Sequence, residues 1–382
     1  MRARMNRKIL LSYLKSMVRV VPQSNSIMEL MGFMIECNED EGVVYITVSN
    51  LETTIQRKFN ASIEEGGSFV VAARMFLGIV DRLGGEDIIL EHNEKLLGIT
   101  SERCRFDVPV LSARNYPKIN IPYPDDLLKI KGICSLYSKT SAAVGTDIKR
   151  PSLTGIHLEI YSDTVRASAC DAFRMAVTEI KCNCGGKMSV TVPKQSFFYL
   201  ANAVEDKDLL EFGLNANTLV FIKSDMLFST RIISEPFMNI DRLLNMPDKM
   251  LVAKIKANDM KTMAETVSMI TNVSEDTAPV LLKFKNNNLQ LSIESTEAES
   301  TLNVPIESVN MISGEFYYNA KYFSDMLKLI RGDVDVYMTK RGVLYASNPV
   351  SEYMLTNSKK RSVKHKSKKQ RKRHKKQRRK NK

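Results

Sequence analysis

No uninterrupted apolar run reaches the roughly 18 residues that a membrane helix requires, so nothing in the chain reads as a bilayer span. The apolar stretch from Ile9 to Leu14 is short, contains Ser12, and leads to Lys15 and Arg19 without a small-residue cleavage site. It makes a poor secretion signal, and a soluble cytoplasmic protein with no membrane partner is expected. Catalytic signatures are missing too: there is no GxxxxGK[ST] loop, GxSxG elbow, HExxH pair or CxxC set. The carboxylates Glu39, Asp40 and Glu41, and Asp125 with Asp126, fall in predicted turns and read as solvated loops. Six scattered cysteines, with Cys134 on a predicted buried face, argue against a disulfide framework. Cys182 and Cys184 form the one close pair, and only His92 and His157 lie outside the C-terminal tail, so a four-ligand zinc site is hard to assemble. No catalytic residue, metal or cofactor is expected.

Acidic residues are absent from 359–382, a stretch that holds 16 of the 56 Lys and Arg. The net charge of +13 therefore describes no real surface: without these residues, 40 bases face 43 acids, a balance of −3. A mildly acidic body carries a polycationic tail, expected to be disordered because it repels itself and has little to bury. A polyanion is its natural partner.

What the chain does have is a threefold repeat. Phe76, Ile79, Val80 and Leu83 recur about 120 residues on as Phe197, Leu200, Ala201 and Val204, and again as Phe323, Met326, Leu327 and Ile330. Each set has the i, i+3, i+4, i+7 spacing of one helix face. A second stripe precedes each: Leu10, Tyr13, Leu14, Met17; Ile130, Ile133, Cys134, Tyr137; Met260, Met263, Ala264, Val267. Alternating runs around Ile35, Leu158 and Leu282, and the aromatics Phe106, Phe228 and Tyr353, keep the same phase. Three α+β domains of two helices on antiparallel sheets are expected at 1–125, 126–250 and 251–358, followed by the tail at 359–382.

Helical wheels place basic residues opposite four of the six stripes: Lys8, Lys15 and Arg19; Arg74; Lys139; Lys321 and Lys328. The helix at Phe197 has Lys194 only near its start, and the helix at Met260 turns Thr262 and Glu265 outward. On any single helix such charges are ordinarily just solvated. Their repetition in a body richer in acids suggests one positive surface suited to duplex phosphates, read without sequence preference.

The chain from about residue 7 to 356 resembles the bacterial sliding clamps, the beta subunits of DNA polymerase III. The likeness is carried by Ser49-Asn50-Leu51-Glu52-Thr53-Thr54-Ile55, Arg150-Pro151-Ser152-Leu153-Thr154-Gly155-Ile156-His157 and Cys170-Asp171-Ala172-Phe173-Arg174-Met175-Ala176. It continues in Phe237-Met238-Asn239-Ile240-Asp241-Arg242-Leu243 and Phe316-Tyr317-Tyr318-Asn319-Ala320-Lys321-Tyr322-Phe323. The resemblance implies a head-to-tail homodimeric ring whose helices line a hole around duplex DNA. It implies a non-catalytic processivity factor, loaded by a clamp loader, that tethers DNA polymerase and other replication or repair proteins in the cytoplasm at the nucleoid. By the family's pattern, Phe106 and Val108 would meet Met269 and Ile270 of the partner copy. A client-peptide pocket would be formed by Arg150, Leu153, Cys170, Phe173, Arg174 and Met175, together with Met238, Arg242, Leu243, Met354 and Leu355. The sequence departs from that pattern at Cys170, Phe173, Met238 and Thr356 to Lys359, which implies a greasier pocket and an altered client motif. The rival reading is a nucleic-acid scaffold that binds through its tail, without topological clamping.

Overall fold

The computed structural model describes residues 1–102, 104–273, 279–295 and 299–358, and the expected disordered tail lies outside them. The chain folds as two compact units. Unit 1 comprises Met1–Tyr137, Lys149–Val165 and Ile180–Pro236; unit 2 comprises Ser138–Ile148, Arg166–Glu179 and the residues from Phe237 onward. Both are helices packed on antiparallel sheets.

In unit 1, helix α1 (Arg7–Met17) starts where the Asn6 side chain accepts the Ile9 amide, and it buries Leu10, Leu14 and Met17. Helix α2 (Ala73–Arg82) buries Phe76 and Val80, stops at Leu83, and leads into Gly84 and Gly85, the latter at φ +85. Helix α3 (Ile133–Thr140) corrects one expectation. Ile130 is not on it but ends the strand Leu128–Ile130, because Gly132 at φ +74 turns the chain first. The buried positions of α3 are thus Ile133, Leu136 and Thr140, with Cys134 and Tyr137 only half-buried. Helix α4 (Lys194–Ala203) buries Phe197 and Leu200, and Tyr137 of α3 meets Phe197 edge to face at 6.0 Å.

One continuous sheet of 13 strands underlies these helices. Its middle joins two repeats: strand Thr53–Asn60 pairs with Met226–Arg231, setting Ile55 opposite Phe228. Arg57 crosses beneath that seam and is almost fully buried. Its Nη1 lies 2.5 Å from Asp225 Oδ2, its Nη2 donates to the Ala203 carbonyl, and its guanidinium sits 4.8 Å from the Tyr13 ring centroid. Tyr13 donates its hydroxyl to the same Asp225 oxygen at 2.8 Å. Burial works against the charged Asp225, but the Tyr13 hydrogen bond and the Arg57 and Lys223 charges outweigh it and hold the carboxyl below its usual range. Burial, and then the bond to Asp225, push Tyr13 up to about 12.

In unit 2, residues 174–178 of strand Arg174–Lys181 pair with Ser351–Leu355, placing Ala176 opposite Tyr353. This repeats, 121 positions later on one strand and 125 on the other, the seam of Ile55 with Phe228. Beyond it lie Leu344–Asn348, Val334–Met338, Met250–Ile255 and Glu307–Ser308, in that order. A separate sheet runs Glu299–Pro305, Asn288–Glu294, Val280–Lys285, Phe316–Tyr318. After the short helix α5 (Asp241–Leu244) come helix α6 (Ala257–Val273) and helix α7 (Ala320–Leu329), which pack on each other and bury Met260, Met263 and Val267 against Phe323, Met326 and Leu327.

Candidate functional site

Three groups of candidate residues can be followed from their elements. Among the basic ones, Lys15 is exposed on α1 but engages Asp81 of α2 at 2.8 Å, a bond that lowers the Asp81 carboxyl. Arg19 lies just past the end of α1, exposed, with its guanidinium 5.5 Å from the Phe198 ring. Arg74 is exposed on the first turn of α2 and reaches the Pro22 carbonyl at 3.4 Å. Lys139 and Lys194 are only half-buried positions at the end of α3 and the start of α4, so they are less free than a helical wheel suggests. In unit 2, Lys321 and Lys328 are exposed on α7. Lys15, Arg19 and Arg74 of unit 1 are thus partly occupied by their own protein, whereas Lys321 and Lys328 of unit 2, the unit that also holds Lys139, have no ion pair among the described residues.

The edge residues behave differently from their counterparts. Phe228 and Tyr353 are 0% and 3% exposed, because another strand lies beside each, whereas Phe106 is 43% exposed. Residues 105–109 of strand Arg105–Leu111 pair with Leu96–Thr100, but on the strand's other side only Val110 and Leu111 find strand partners among the described residues, in strand Gly67–Ala72. Val108 is buried. In unit 2, Met269 is 69% exposed on α6, whereas Ile270, like Val108, is only 6% exposed in the single chain. The helical period explains this, since Ile270 follows Met263 and Val267 on the buried face.

Of the expected pocket residues in unit 2, Arg174, Met175, Met354 and Leu355 line one shared concavity, whereas Cys170, Phe173, Met238, Arg242 and Leu243 are not part of its lining. Met175, Met354 and Leu355 are buried beneath a concavity whose wall includes Arg174, Tyr322, Asp325, Met326 and Leu329. Arg174 is fixed from three sides: Asp171 at 3.0 Å, Asp325 at 2.8 Å, and the face of Tyr322 at 4.0 Å from its centroid. Asp171 also caps the turn by accepting the amides of Phe173 and Arg174. Cys170 Sγ lies 3.2 Å from Met238 Sδ. Burial, and then the neighbouring Asp171, push the Cys170 thiol up to about 12, so it acts as an uncharged apolar filler. Phe173, Met238 and Arg242 are exposed, and Leu243 offers its carbonyl to the Tyr345 hydroxyl at 2.8 Å. Arg150, exposed, and Leu153, half-buried in the turn Pro151–Thr154, belong to unit 1. Sequence reasoning missed Tyr322, Asp325 and Leu329. Their i, i+3, i+7 spacing on α7 was the available signal, a second stripe beside that of Phe323.

Such a surface, an apolar floor of methionine and leucine with an immobilised arginine at its edge, suits a short peptide's apolar side chain and adjacent polar groups. Comparison with known proteins agrees with this architecture. The profile of the DNA polymerase III beta subunit N-terminal domain matches residues 1–121, and that of its central domain matches residues 128–239, together more than half of the chain. The beta sliding clamp of Staphylococcus epidermidis is 23% identical over 342 residues, covering 86% of this chain and 89% of that protein. That of Synechocystis is 24% identical over 327 residues, covering 78% and 82%. The DNA polymerase sliding clamp from Bacillus subtilis superposes with a TM-score of 0.84 at 19% identity, covering 94% of this chain and 100% of that one. The sliding clamp from Pseudomonas aeruginosa bound to griselimycin gives 0.82 at 20% identity, covering 94% and 99%. The chain belongs to the DNA polymerase III beta subunit family, the bacterial beta sliding clamps.

Proposed function

We propose that two copies of this protein close head to tail around duplex DNA, forming a ring that slides without sequence preference and tethers a polymerase and other clients. Members of this family are non-catalytic processivity factors, so affinity for the duplex need not be high: a closed ring leaves its DNA only by opening. The observation that carries the reading is a pair of open sheet edges. Residues 105–109 occupy the repeat position of strand Met226–Arg231 and of strand Ser351–Leu355, both of which are paired within the chain. Strand Glu299–Pro305 occupies the position of Thr53–Asn60 and Arg174–Lys181, and it is the edge of its sheet. One copy therefore has the donor edge that another copy's acceptor edge lacks, and mutual pairing would complete both. Phe106 and Val108 then form one side of the joint and Met269 lies on the other copy's side. The cationic residues Lys15, Arg19, Arg74, Lys139, Lys194, Lys321 and Lys328 face the phosphates, and clients enter the Arg174 pocket of unit 2.

The test is to load the protein with a bacterial clamp loader and ATP onto nicked circular DNA, then apply high salt before and after cutting the circle. Retention on the circle with release from the cut DNA supports a topological link. Release from both, with the loader verified on a standard clamp, removes the ring and favours the tail-driven scaffold.

A further inference from the structure

We propose that the joint between two copies sets two carboxylates face to face, Asp107 of one copy against Glu299 of the other, so that the ring closes against a charge repulsion that neither seam within the chain carries. The inference rests on the head-to-tail ring proposed above and adds the register of its strands. That register is contained in the repeat. The seam within unit 1 sets Leu227 opposite Gln56, Phe228 opposite Ile55 and Ser229 opposite Thr54. The seam within unit 2 sets Tyr353 opposite Ala176 and Met354 opposite Met175.

The two open edges fit the same frame. Phe106 faces Ile99 across its hairpin as Phe228 faces Phe221, and Ser300 faces the buried Ile293 as Ile55 faces the buried Val48. Pairing in the register of the inner seams therefore brings Phe106 opposite Ser300, Arg105 opposite Thr301 and Asp107 opposite Glu299. Directly opposed side chains have Cβ atoms about 5 Å apart, and like charges there are destabilising. At the same position the inner seams hold Ser229 with Thr54 and Met354 with Met175, which are uncharged. Neighbouring strands do not relieve the repulsion: Gly98 lies beside Asp107, Glu294 beside Glu299, and Thr100 and Ser292 beside Arg105 and Thr301. Arg105 is the cation at hand, and within its own copy it is already shared between Glu91 at 2.8 Å and Asp107 at 3.2 Å. Asp107 and Glu299 are both exposed, so water solvates each in the separate copy and closure brings the two charges together. The joint is thereby weaker than the seams it repeats, and it is where the ring yields first.

Sedimentation equilibrium of the full chain, without DNA or loader, reads the dimer constant. A closed ring of two copies has two identical joints, so each substitution counts twice. Glu299→Gln is expected to tighten the dimer about 2- to 10-fold, and Glu299→Lys, which turns repulsion into attraction, about tenfold or more. Asp107→Lys alone should act in the same direction. Combining Asp107→Lys with Glu299→Lys restores a like-charge pair and should return the dimer to within about threefold of the unchanged chain. That reversal marks direct opposition, because an effect of net charge alone would make the doubly substituted protein the extreme of the series. Both positions are exposed, so the melting of each variant should stay within about 2 °C, which certifies that it folds. A dimer that is no tighter in Glu299→Lys, or a double variant tighter than either single one, overturns the proposal and leaves the ring standing. A chain that remains monomeric in every variant overturns the ring itself, and the register with it.

Discussion

Replacing Asp225 by Ala is expected to unfasten unit 1. Arg57 is 5% exposed in its side chain and has Asp225 as its one carboxylate within 4 Å among the described residues. Removing that partner leaves a buried cation uncompensated, for which the cost is about 3–5 kcal/mol. At about 2–4 °C per kcal/mol for a body of this size, the first thermal transition should fall by about 6–20 °C. Circular dichroism or calorimetry of the full chain at pH 7.5 reads this directly. The companion variant, Arg57→Met with Asp225→Leu, should recover most of the loss. Arg57 Nε and Asp225 Oδ1 have no hydrogen-bond partner among the described residues, so the pair is an imperfectly satisfied network that apolar packing can replace. What remains is the orphaned Ala203 carbonyl and the Tyr13 hydroxyl that has lost its acceptor, worth about 1 kcal/mol each. The pH dependence has two limbs. Asp225 is depressed in the fold, so its contribution is present above the ordinary carboxylate pKa and is lost as pH falls through the lowered value. Tyr13 is raised to about 12, so its contribution is complete below the ordinary value of 10.0 and vanishes as pH climbs through 12. A fall of under about 3 °C for Asp225→Ala, or a double variant as unstable as the single one, would refute the idea that an enclosed charge pair fastens this seam.

Three further outcomes follow from the surfaces. If the proposed dimer forms, Phe106→Glu should weaken it by at least about 30-fold in sedimentation equilibrium, while leaving the melting of the monomer nearly unchanged because the phenyl ring is half-exposed. Arg174→Ala should reduce affinity for a clamp-binding peptide about 5- to 30-fold by calorimetry, since it removes the group that Asp171, Asp325 and Tyr322 jointly orient; unchanged affinity would place the client elsewhere. Lys321→Gln with Lys328→Gln should leave salt-resistant residence on circular DNA within about twofold, because a topological link does not rest on two phosphate contacts. Rapid loss in that assay would mean that contact, not enclosure, holds the DNA.

The helical stripes were legible because a 3.6-residue period is written in adjacent residues: Phe323, Met326, Leu327 and Ile330 are buried as their spacing predicts. The start of α3 was not, since apolar Ile130 continues the period in sequence and only Gly132's left-handed turn breaks it. Ile270 shows the same limit from the other side. A family pattern puts it at a joint between copies, and its phase with Met263 and Val267 leaves it 6% exposed in the single chain, a burial that the pattern alone does not show. Of the pocket, the floor was readable from motif positions. The Asp325 carboxylate and Tyr322 ring that hold Arg174 come from 151 and 148 positions away, and no local spacing encodes that meeting.

The seam between Thr53–Asn60 and Met226–Arg231 also bears on how the protein is made. At the ribosome's pace of about 5–20 residues per second, the roughly 170 residues separating those strands take about 10–35 s to synthesise. From the end of α2 at Arg82 onward, both helices of the first repeat have been made while strand Thr53–Asn60 still lacks the neighbour it gains at Met226–Arg231. A nascent chain in that state is a natural client for a holdase chaperone. Slower translation across residues 60–226 is therefore expected to lengthen the time that edge stays open to pairing with another chain.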